Sequence, residues 1–378
     1  MYKEAIRPAW VEVNLGNFDY NIKQIKAKAQ GRDLIGVIKA DAYGHGSVRC
    51  AEVLRSNGVS KFAVATLQEA ITLRNAGADE EIICLGLTPD MYADTLIDYD
   101  VTPVVCSSDN AEAISDAAAV KGKIVSALIA VDTGMGRIGY LADDIETAVM
   151  DVRKIASLPN LKIRGLFSHM STADAADKSY SHDQEAKFNT FYEALTKAGI
   201  KFPIRTLANS ASIMELPSIL FDEVRPGIIQ YGLYPSHEVD PAQLSLKPVM
   251  SVKANIVHLK DVPENFSVGY GRRYISDKPS RIATLGLGYA DGYPRPYSSA
   301  AKVIVNGVVC PVAGNICMDQ FMVDVSEVPN VKLGDEVIIM GSDGVSSITA
   351  DDIADATGTI NYEICCAFGQ RLPKVYIK

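Results

Sequence analysis

The chain has 378 residues, of which 48% are hydrophobic, and its formal net charge is −9 at pH 7. This length suits two domains or one barrel with an addition, and the acidic balance argues against a nucleic-acid-binding surface, which is usually basic. The seven cysteines form no C-x-x-C pair, so we interpret them as reduced thiols. No signal-peptide core precedes the first motif, and no apolar stretch approaches the roughly 20 residues that span a membrane. We therefore expect a cytoplasmic protein.

Between residues 11 and 235, short apolar runs alternate with amphipathic helical segments. The runs are VEVNL, LIGVI, FAVAT, EIICLG, TPVVC, VSALIAV, IRGLF and RTLAN. Their Val, Ile and Leu content without strict alternation is typical of a parallel sheet covered on both faces. About eight such β–α units predict a (β/α)8 TIM-like barrel. An open dinucleotide-binding sheet is disfavoured, because ADAYGHG stands where G-x-G-x-x-G would follow its first strand.

The pattern changes at the polar segment SHEVDPAQLSLKP, residues 236–248. Strand-like runs follow, separated by turn signals such as Asn306-Gly307. Only one clear helix interrupts them, ITADDIADATG, which opens with a threonine cap. We therefore predict a barrel domain at residues 1–240 and a mostly β domain at 241–378. The first ten or so residues are candidates for pairing with the β domain.

Polar residues follow several predicted barrel strands at the point where each strand ends. Active sites of such barrels form at the carboxyl ends of the strands, and Lys39 closes the second apolar run. A buried lysine without a carboxylate partner has a neutral amine that attacks aldehydes. The alternative is a strand-end lysine that extends to solvent. Lys39 is thus a candidate nucleophile.

Further residues at the same predicted rim suit an anionic ligand. Ser210 opens a helical segment and Gly227 follows Arg225-Pro226, so backbone amides there can bind an anion, although ordinary capping and a tight turn explain them equally. An anion site beside a reactive amine indicates pyridoxal phosphate as the candidate cofactor. Arg137 and Arg225 are candidates for binding a carboxylate or a phosphate group of a ligand. The alternative is that each forms a surface ion pair. His169 is a candidate base or a structural group, and no metal-ligand spacing accompanies it, so we expect no metal.

A series of longer motifs resembles the alanine racemase family of fold-type-III pyridoxal-phosphate enzymes. In order these are RPAWVEVNLGNFDYNI, VIKADAYGHG, DTGMGRIG, HMSTAD, NSAS, EVRPGIIQYG, SVGYGRRY, GLGYADGYPR, GNICMDQ and TINYE. They cover nearly the whole chain. The resemblance implies a cytoplasmic homodimer with shared active sites. It also implies interconversion of L-alanine and D-alanine by a two-base mechanism, which supplies D-alanine for peptidoglycan.

Matching positions imply the site residues. Lys39 and Tyr270 are the two bases, and Tyr270 comes from the partner subunit. The implied cofactor-binding residues are Lys39, Tyr43, His169, Asn209, Ser210, Arg225, Gly227, Ile228 and Tyr362. Arg137 and the backbone of Met318 receive the substrate carboxylate. Tyr289 and Tyr362 narrow the entrance, with Asp319 close by.

Two positions depart from the family pattern and leave alternatives open. Ala130 stands where many members have a carboxylated lysine that orients the substrate arginine, so a chloride ion or another side chain would serve Arg137. Asn315 stands where an entrance arginine is common. Both changes leave room for a broader-specificity racemase acting on serine or basic amino acids.

Two other readings concern different activities. A decarboxylase of the same fold type would carry a Cys-Asp-Glu block, whereas here Cys317 is followed by Met318-Asp319. A non-catalytic pyridoxal-phosphate carrier would stop near residue 235, whereas this chain continues through Tyr270.

Overall fold

The structure is a computed structural model that describes residues 7–369 and 371–378. The strands are, in chain order, β1 (Ala9–Asn14), β2 (Asp33–Leu34), β3 (Gly36–Val37), β4 (Lys61–Val64), β5 (Glu81–Cys84), β6 (Val101–Val105), β7 (Val125–Asp132), β8 (Tyr140–Leu141), β9 (Leu161–Phe167), β10 (Ile204–Thr206), β11 (Glu223–Val224), β12 (Met250–Val262), β13 (Ser267–Val268), β14 (Tyr274–Ile275), β15 (Ser280–Leu285), β16 (Lys302–Val305), β17 (Val308–Pro311), β18 (Phe321–Asp324), β19 (Glu336–Ser342), β20 (Ser347–Ile348) and β21 (Lys374–Ile377).

The helices alternate with the strands in the first two thirds of the chain. They are α1 (Leu15–Lys28), α2 (Lys39–Tyr43), α3 (Ser47–Ser56), α4 (Leu67–Asn75), α5 (Ala93–Asp98), α6 (Ser108–Val120), α7 (Ile145–Ser157), α8 (Ser179–Lys197), α9 (Ser210–Glu215), α10 (Ala350–Thr357) and α11 (Asn361–Ala367). Of the helices in the described part of the chain, none is both long and apolar enough to cross a membrane.

The chain divides into two compact units. The barrel unit comprises residues 19–42 and 47–247. The described residues of the β unit are 7–18, 43–46 and those from 248 to the end of the chain. A parallel, TIM-like barrel and a separate mostly β unit are what the sequence pattern predicted, so the predicted fold class is confirmed.

Parallel strands form the wall of the barrel unit. Hydrogen-bonded neighbours follow the order β3-β4-β5-β6-β7-β9-β10, and β11 pairs with β2. Main-chain bonds from Ile35 N to Val224 O (2.9 Å) and from Arg225 N to Ala208 O (3.0 Å) connect β11 to both sides. Most of these short strands are buried along their length, which is why their sequences show no strict alternation.

The run VEVNL was predicted among the barrel strands, and this was wrong. It lies in β1, which belongs to the β unit and pairs antiparallel with β12 and parallel with β21. The eighth barrel strand is instead the short β11. Continuous apolar runs look alike in any sheet that is buried on both faces, so their pattern does not say which sheet they join. Of the first ten residues expected to pair with the C-terminal part, residues 1–6 lie outside the described residues.

An ion-pair network lies where several barrel strands begin. The guanidinium of Arg164 donates two hydrogen bonds to Glu223 (2.9 and 2.7 Å), and its Nε lies 2.7 Å from Glu81. Lys61 Nζ lies 2.6 Å from both Glu223 and Asp33. Burial opposes the charge of Arg164, but Glu223 and Glu81 outweigh it and raise its pKa. In such barrels the amino-terminal face usually serves stability.

The β unit is organised around the long strand β12. Antiparallel pairs join β12 to β1, β15 and β19, and the sheet continues through β16 and β17. Val262, Val268, Ile282 and Ala313 form one of its buried clusters. The predicted threonine cap is confirmed, because Thr349 Oγ1 accepts from Asp352 N (3.0 Å) at the start of α10.

The prediction of a single helix in the C-terminal third was wrong. A second helix, α11, spans Asn361–Ala367. It has only seven residues, and its apolar ICCA segment lacks the spaced polar positions by which an amphipathic helix is identified from sequence.

Candidate active site

Lys39 lies at the carboxyl end of β3 and begins the short segment α2. The backbone of α2 is a left-handed turn and not an ordinary right-handed helix. The φ angles of Ala40, Asp41, Ala42 and Tyr43 are 51°, 51°, 54° and 52°. Left-handed backbone costs an L residue other than glycine about 1–2 kcal/mol, so four in succession must be held by their surroundings. Such strain concentrates at functional sites. The sequence predicted a strand that continues to Lys39, whereas β3 ends two residues earlier.

Arg225 follows β11 and His169 follows β9, and their side chains contact each other at the carboxyl ends of these two strands, which lie on either side of β10. Arg225 is 3% exposed and donates hydrogen bonds to Thr206 Oγ1 (2.6 Å), Ser168 O (2.6 Å) and Leu207 O (3.1 Å). Its Nη2 also lies 3.3 Å from His169 Nδ1. A guanidinium only donates, so Nδ1 accepts and a neutral imidazole carries its proton on Nε2.

Three other predicted site residues act electrostatically on His169. Burial lowers the pKa of His169 well below its usual value, and Arg225, Arg137 and Lys39 lower it further. Burial also lowers the pKa of Arg225 to about 9, with Arg137 adding to the effect and Glu223 opposing it. At neutral pH His169 is therefore a neutral imidazole in contact with the buried guanidinium of Arg225.

Ser210 and Gly227 also meet. Gly227 N donates to Ser210 Oγ (2.9 Å), and Ser210 is buried with 5% exposure. The cap of α9 is Asn209, whose side chain accepts from Ser212 N (3.1 Å); capping by Ser210 itself was the wrong alternative. Ile228 opens a short 3₁₀ turn. The first amides of a helical turn have no partner within that turn. The segment formed by Ser210, Gly227 and Ile228 therefore offers backbone N–H groups and the hydroxyl of Ser210 to a ligand.

The remaining predicted site residues lie in the β unit. The rings of Tyr43 and Tyr362 pack at a tilt of 49°, with centroids 6.0 Å apart. Burial raises the pKa of Tyr43 well above its usual value, and Cys366 adds to the shift. Tyr289 N donates to Cys317 O (3.0 Å), and the next amide donates to Met318 O (3.0 Å). These bonds bring the two predicted entrance segments side by side.

Tyr270 is largely exposed. It opens a 3₁₀ turn, and 73% of it is exposed. Asn315 Nδ2 donates to its carbonyl oxygen (2.8 Å), so the residue that departs from the family pattern contacts the turn of the predicted base. Asp319 accepts from Arg371 (2.9 Å).

Sequence reasoning missed a buried glutamine behind the site. Gln184 is fully buried, and its Nε2 donates to Thr133 Oγ1 (3.2 Å) and His169 O (3.1 Å), while its Oε1 accepts from Ser171 N (2.9 Å). A signal existed, because Gln184 lies on the same helical face as the buried Phe188 of α8. A polar residue on an apolar face requires buried partners.

Glu69 was also missed. One oxygen of its carboxylate accepts from Ala40 N (2.6 Å), directly after Lys39. The sequence shows only a threonine and a glutamate spaced as a capping box. Among the described residues there is no group of three or more His, Cys, Asp or Glu side chains arranged to hold a metal ion.

Comparisons with known proteins agree with one another. The family model "Alanine racemase, N-terminal domain" matches residues 13–235, and "Alanine racemase, C-terminal domain" matches residues 249–376. An alanine racemase of Clostridium kluyveri is 52% identical over 375 residues, which cover 99% of this chain and 95% of that protein.

Solved structures match over nearly the full length as well. An alanine racemase of Clostridium difficile 630 superposes with a TM-score of 0.94 at 37% identity, covering 99% of this chain and 96% of that one. A histidine racemase from Leuconostoc mesenteroides subsp. sake superposes with a TM-score of 0.89 at 28% identity, with full coverage of both chains. From the two family models and these full-length relatives it follows that the chain belongs to the alanine racemase family.

Proposed function

We propose that the chain is a pyridoxal-phosphate-dependent racemase that interconverts L-alanine and D-alanine, in the cytoplasm, and supplies D-alanine for peptidoglycan. The observation that carries this proposal is the arrangement in the barrel unit. The amine of Lys39 lies at the carboxyl end of a barrel strand. It acts electrostatically on a neutral His169, and the buried Arg225 contacts the same imidazole.

The residues of the barrel unit fit pyridoxal phosphate. Lys39 supplies the amine for its aldehyde, and the corner of Ser210, Gly227 and Ile228 supplies a hydroxyl and amides for its phosphate. Arg225 offers a cation to the ring nitrogen, and a neutral His169 is suited to lie beside the ring. We further assign Asn209, as the cap of α9, together with Tyr43 and Tyr362 of the β unit, to the cofactor.

When bound, pyridoxal phosphate supplies an electron-accepting ring that makes the α-proton of an attached amino acid acidic. Racemisation then requires two bases on opposite faces of the α-carbon. We assign Lys39 Nζ to one face and the phenolic oxygen of Tyr270 to the other. Arg225 cannot give up a proton readily while it donates to Thr206 and Ser168, so it holds charge and takes no part in proton transfer.

Arg137 is the proposed binding group for the substrate carboxylate, together with the backbone of Met318. It is exposed and, within the described residues, forms no ion pair with a carboxylate of the chain. Its charge is therefore available to an anionic substrate. Ala130 lies fully buried in β7. Its methyl side chain carries no charge, so it cannot neutralise Arg137.

We also propose that two copies of the chain share their sites. A phenol that acts as a base is expected to be enclosed, yet Tyr270 is 73% exposed in the single chain. Met318 and Tyr289 are also exposed, by 53% and 40%. A second copy that covers this surface would explain the exposure. Residues 1–240 would then bind the cofactor, and residues 241–378 would deliver Tyr270 to the other protomer.

Incubation with single amino acids tests the function. We would supply pyridoxal phosphate and L-alanine, L-serine, L-lysine or L-histidine, and measure the D-enantiomer by chiral chromatography. We expect alanine to be converted far faster than the others. A chain that binds pyridoxal phosphate but racemises none of them would be a carrier, and release of carbon dioxide would indicate a decarboxylase.

A broader-specificity racemase is the second candidate. The match to a histidine racemase over the full length shows that proteins with this architecture are not confined to alanine. In this chain Asn315 bonds the carbonyl oxygen of Tyr270 in place of a larger entrance residue. Conversion of serine, lysine or histidine at a rate comparable to alanine would favour this candidate.

Mixing two inactive variants tests the shared site. Lys39→Ala and Tyr270→Phe each remove one proposed base. If Tyr270 works in the other protomer, half of the randomly mixed dimers are heterodimers, each with one intact site of two. We therefore expect the mixture to regain about a quarter of the wild-type specific activity. No regain after dissociation and reassociation would show that both bases come from one protomer.

A further inference from the structure

The carboxylate of Glu69 connects the turn that carries Lys39 to the neighbouring strand. Its Oε1 accepts from Ala40 N (2.6 Å), and its Oε2 accepts from Ala65 N (2.7 Å) and Thr66 N (3.2 Å). Ala65 directly follows β4, the strand that pairs with β3. One side chain thus fixes the ends of two adjacent strands, one of which leads into Lys39.

The same glutamate takes part in a helix cap, but the cap does not require all of these bonds. Glu69 is the third residue of α4, and its amide donates to Thr66 Oγ1 (3.3 Å), which completes a capping box. The bond to Ala40 lies outside this motif, because Ala40 precedes the helix by 27 positions in the sequence numbering and belongs to another turn. An ionised carboxylate has enough acceptor positions for all three amides.

The turn needs such a restraint because its backbone is unfavourable. Ala40, Asp41 and Ala42 are all left-handed, a conformation that L residues rarely hold in succession. Asp41 Oδ1 accepts from Ser47 N (2.8 Å) and restrains the far side of the turn. Glu69 restrains the near side, at the amide next to Lys39.

We propose, on the basis of the proposed function, that Glu69 is a positioning residue for racemisation: its carboxylate holds the left-handed turn so that Lys39 Nζ is directed at the α-carbon. Glu69 makes no contact with the reacting atoms in this role. It acts through the backbone of Ala40. Because misplacement of a reacting group by about 1 Å can cost on the order of 100-fold in rate, a small shift of this turn is sufficient to matter.

Glu69→Asp separates the positioning role from the cap. The chain itself shows that aspartate serves in a capping box, since Asp352 Oδ2 accepts from Thr349 N (2.7 Å) at the start of α10. Aspartate at position 69 therefore keeps the box but is one methylene too short to reach Ala40 as well. Glu69→Gln is a second, equally long variant, whose amide can accept from only one of the two sides. Thr66→Ala is the matched control, because it weakens the box and leaves the carboxylate in place.

The first measurement is hydrogen–deuterium exchange of the peptide that contains residues 38–42, before pyridoxal phosphate is added. We expect exchange of this segment to be at least about tenfold faster in Glu69→Asp and Glu69→Gln than in the wild type, with Thr66→Ala close to the wild type. Equal exchange in all four proteins would overturn the proposal.

The second measurement is steady-state racemisation by the cofactor-loaded dimer. We expect Glu69→Asp to lower kcat at least about tenfold and to leave KM for alanine within about twofold, because Arg137 is untouched. Unchanged kcat in an active wild-type background would overturn the positioning role alone. A wild-type chain that binds pyridoxal phosphate and racemises no amino acid would instead overturn the proposed function.

Discussion

His169 is the residue whose environment depends most on tertiary structure. Its sequence neighbours, Ser168 and Met170, say nothing of its charge. In the folded chain it is partly buried and contacts Arg225, and Arg137 and Lys39 also act on it electrostatically. Sequence reasoning left open whether it was a base or a structural group. The lowered pKa and the bond from Arg225 favour a neutral acceptor.

Stability should fall at mildly acidic pH because of this residue. An unfolded histidine titrates near pH 6.5, while the folded chain holds His169 at a lower pKa. As the pH falls below about 6.5, the unfolded state therefore binds a proton that the folded state does not. The free energy of unfolding then falls by up to about 1.4 kcal/mol per pH unit until the folded pKa is passed. We expect His169→Gln to lose less stability between pH 7 and pH 5 than the wild type.

Urea denaturation at several pH values measures this difference. His182→Gln is the control, because it changes an exposed histidine on α8. If the wild type and His169→Gln show parallel pH profiles, His169 is protonated as easily in the folded chain as in the unfolded one, and the assignment of a neutral imidazole is wrong.

Among the elements, the left-handed turn after β3 was the least predictable. The motif VIKADAYGHG indicated a strand followed by a loop. Aspartate tolerates positive φ better than most residues, but neither Ala40 nor Ala42 favours it. The conformation is held by Glu69, distant in sequence from the turn: its carboxylate accepts from Ala40 N and is itself held by the amide of Ala65. By contrast, the sequence analysis predicted amphipathic helices between the barrel strands, and α4 and α8 are such helices.

The turn reverses the usual effect of replacing alanine by glycine. In a right-handed helix this change costs roughly 0.5–1 kcal/mol, whereas glycine adopts positive φ without strain. Ala40 is exposed and has φ 51°, so we expect Ala40→Gly to leave the unfolding midpoint unchanged or to raise it. Ala113→Gly in the middle of α6 is the matched control and should lower it. Equal losses for both variants, measured by thermal denaturation, would contradict a left-handed turn at Ala40.

For the barrel unit as a whole, the ion-pair network contributes across several strands. Arg164 connects β9 to β5 and β11, and Lys61 connects β4 to β11 and to Asp33. Glu223 is 1% exposed and would be a buried, uncompensated charge without these cations. The network lies at the beginnings of the strands, so it affects stability and leaves the proposed chemistry at their ends unchanged.

Arg164→Met should therefore destabilise the chain. Removing one partner of a buried pair typically costs about 3–5 kcal/mol when the other charge is left alone, but Lys61 stays 2.6 Å from Glu223, so we expect a loss below this range and above that of the control. Arg153→Met is the control, since Arg153 is exposed and makes one bond to a main-chain oxygen, that of Ala198. Chemical denaturation measures both variants. A loss for Arg164→Met no larger than for Arg153→Met would show that Lys61 alone compensates the charge of Glu223.

The sequence by itself determined the fold class, the family, the lysine motif and the set of residues proposed for the site. Apolar periodicity and motifs are local properties, and a chain retains them before it folds. Only the tertiary structure decided that VEVNL joins the β unit, that Lys39 stands on a left-handed turn, and that Gln184 and Glu69 support the site. The physical reason is the same in each case. Burial, charge and hydrogen-bond partners depend on residues far apart in sequence, and only folding brings them within a few ångströms.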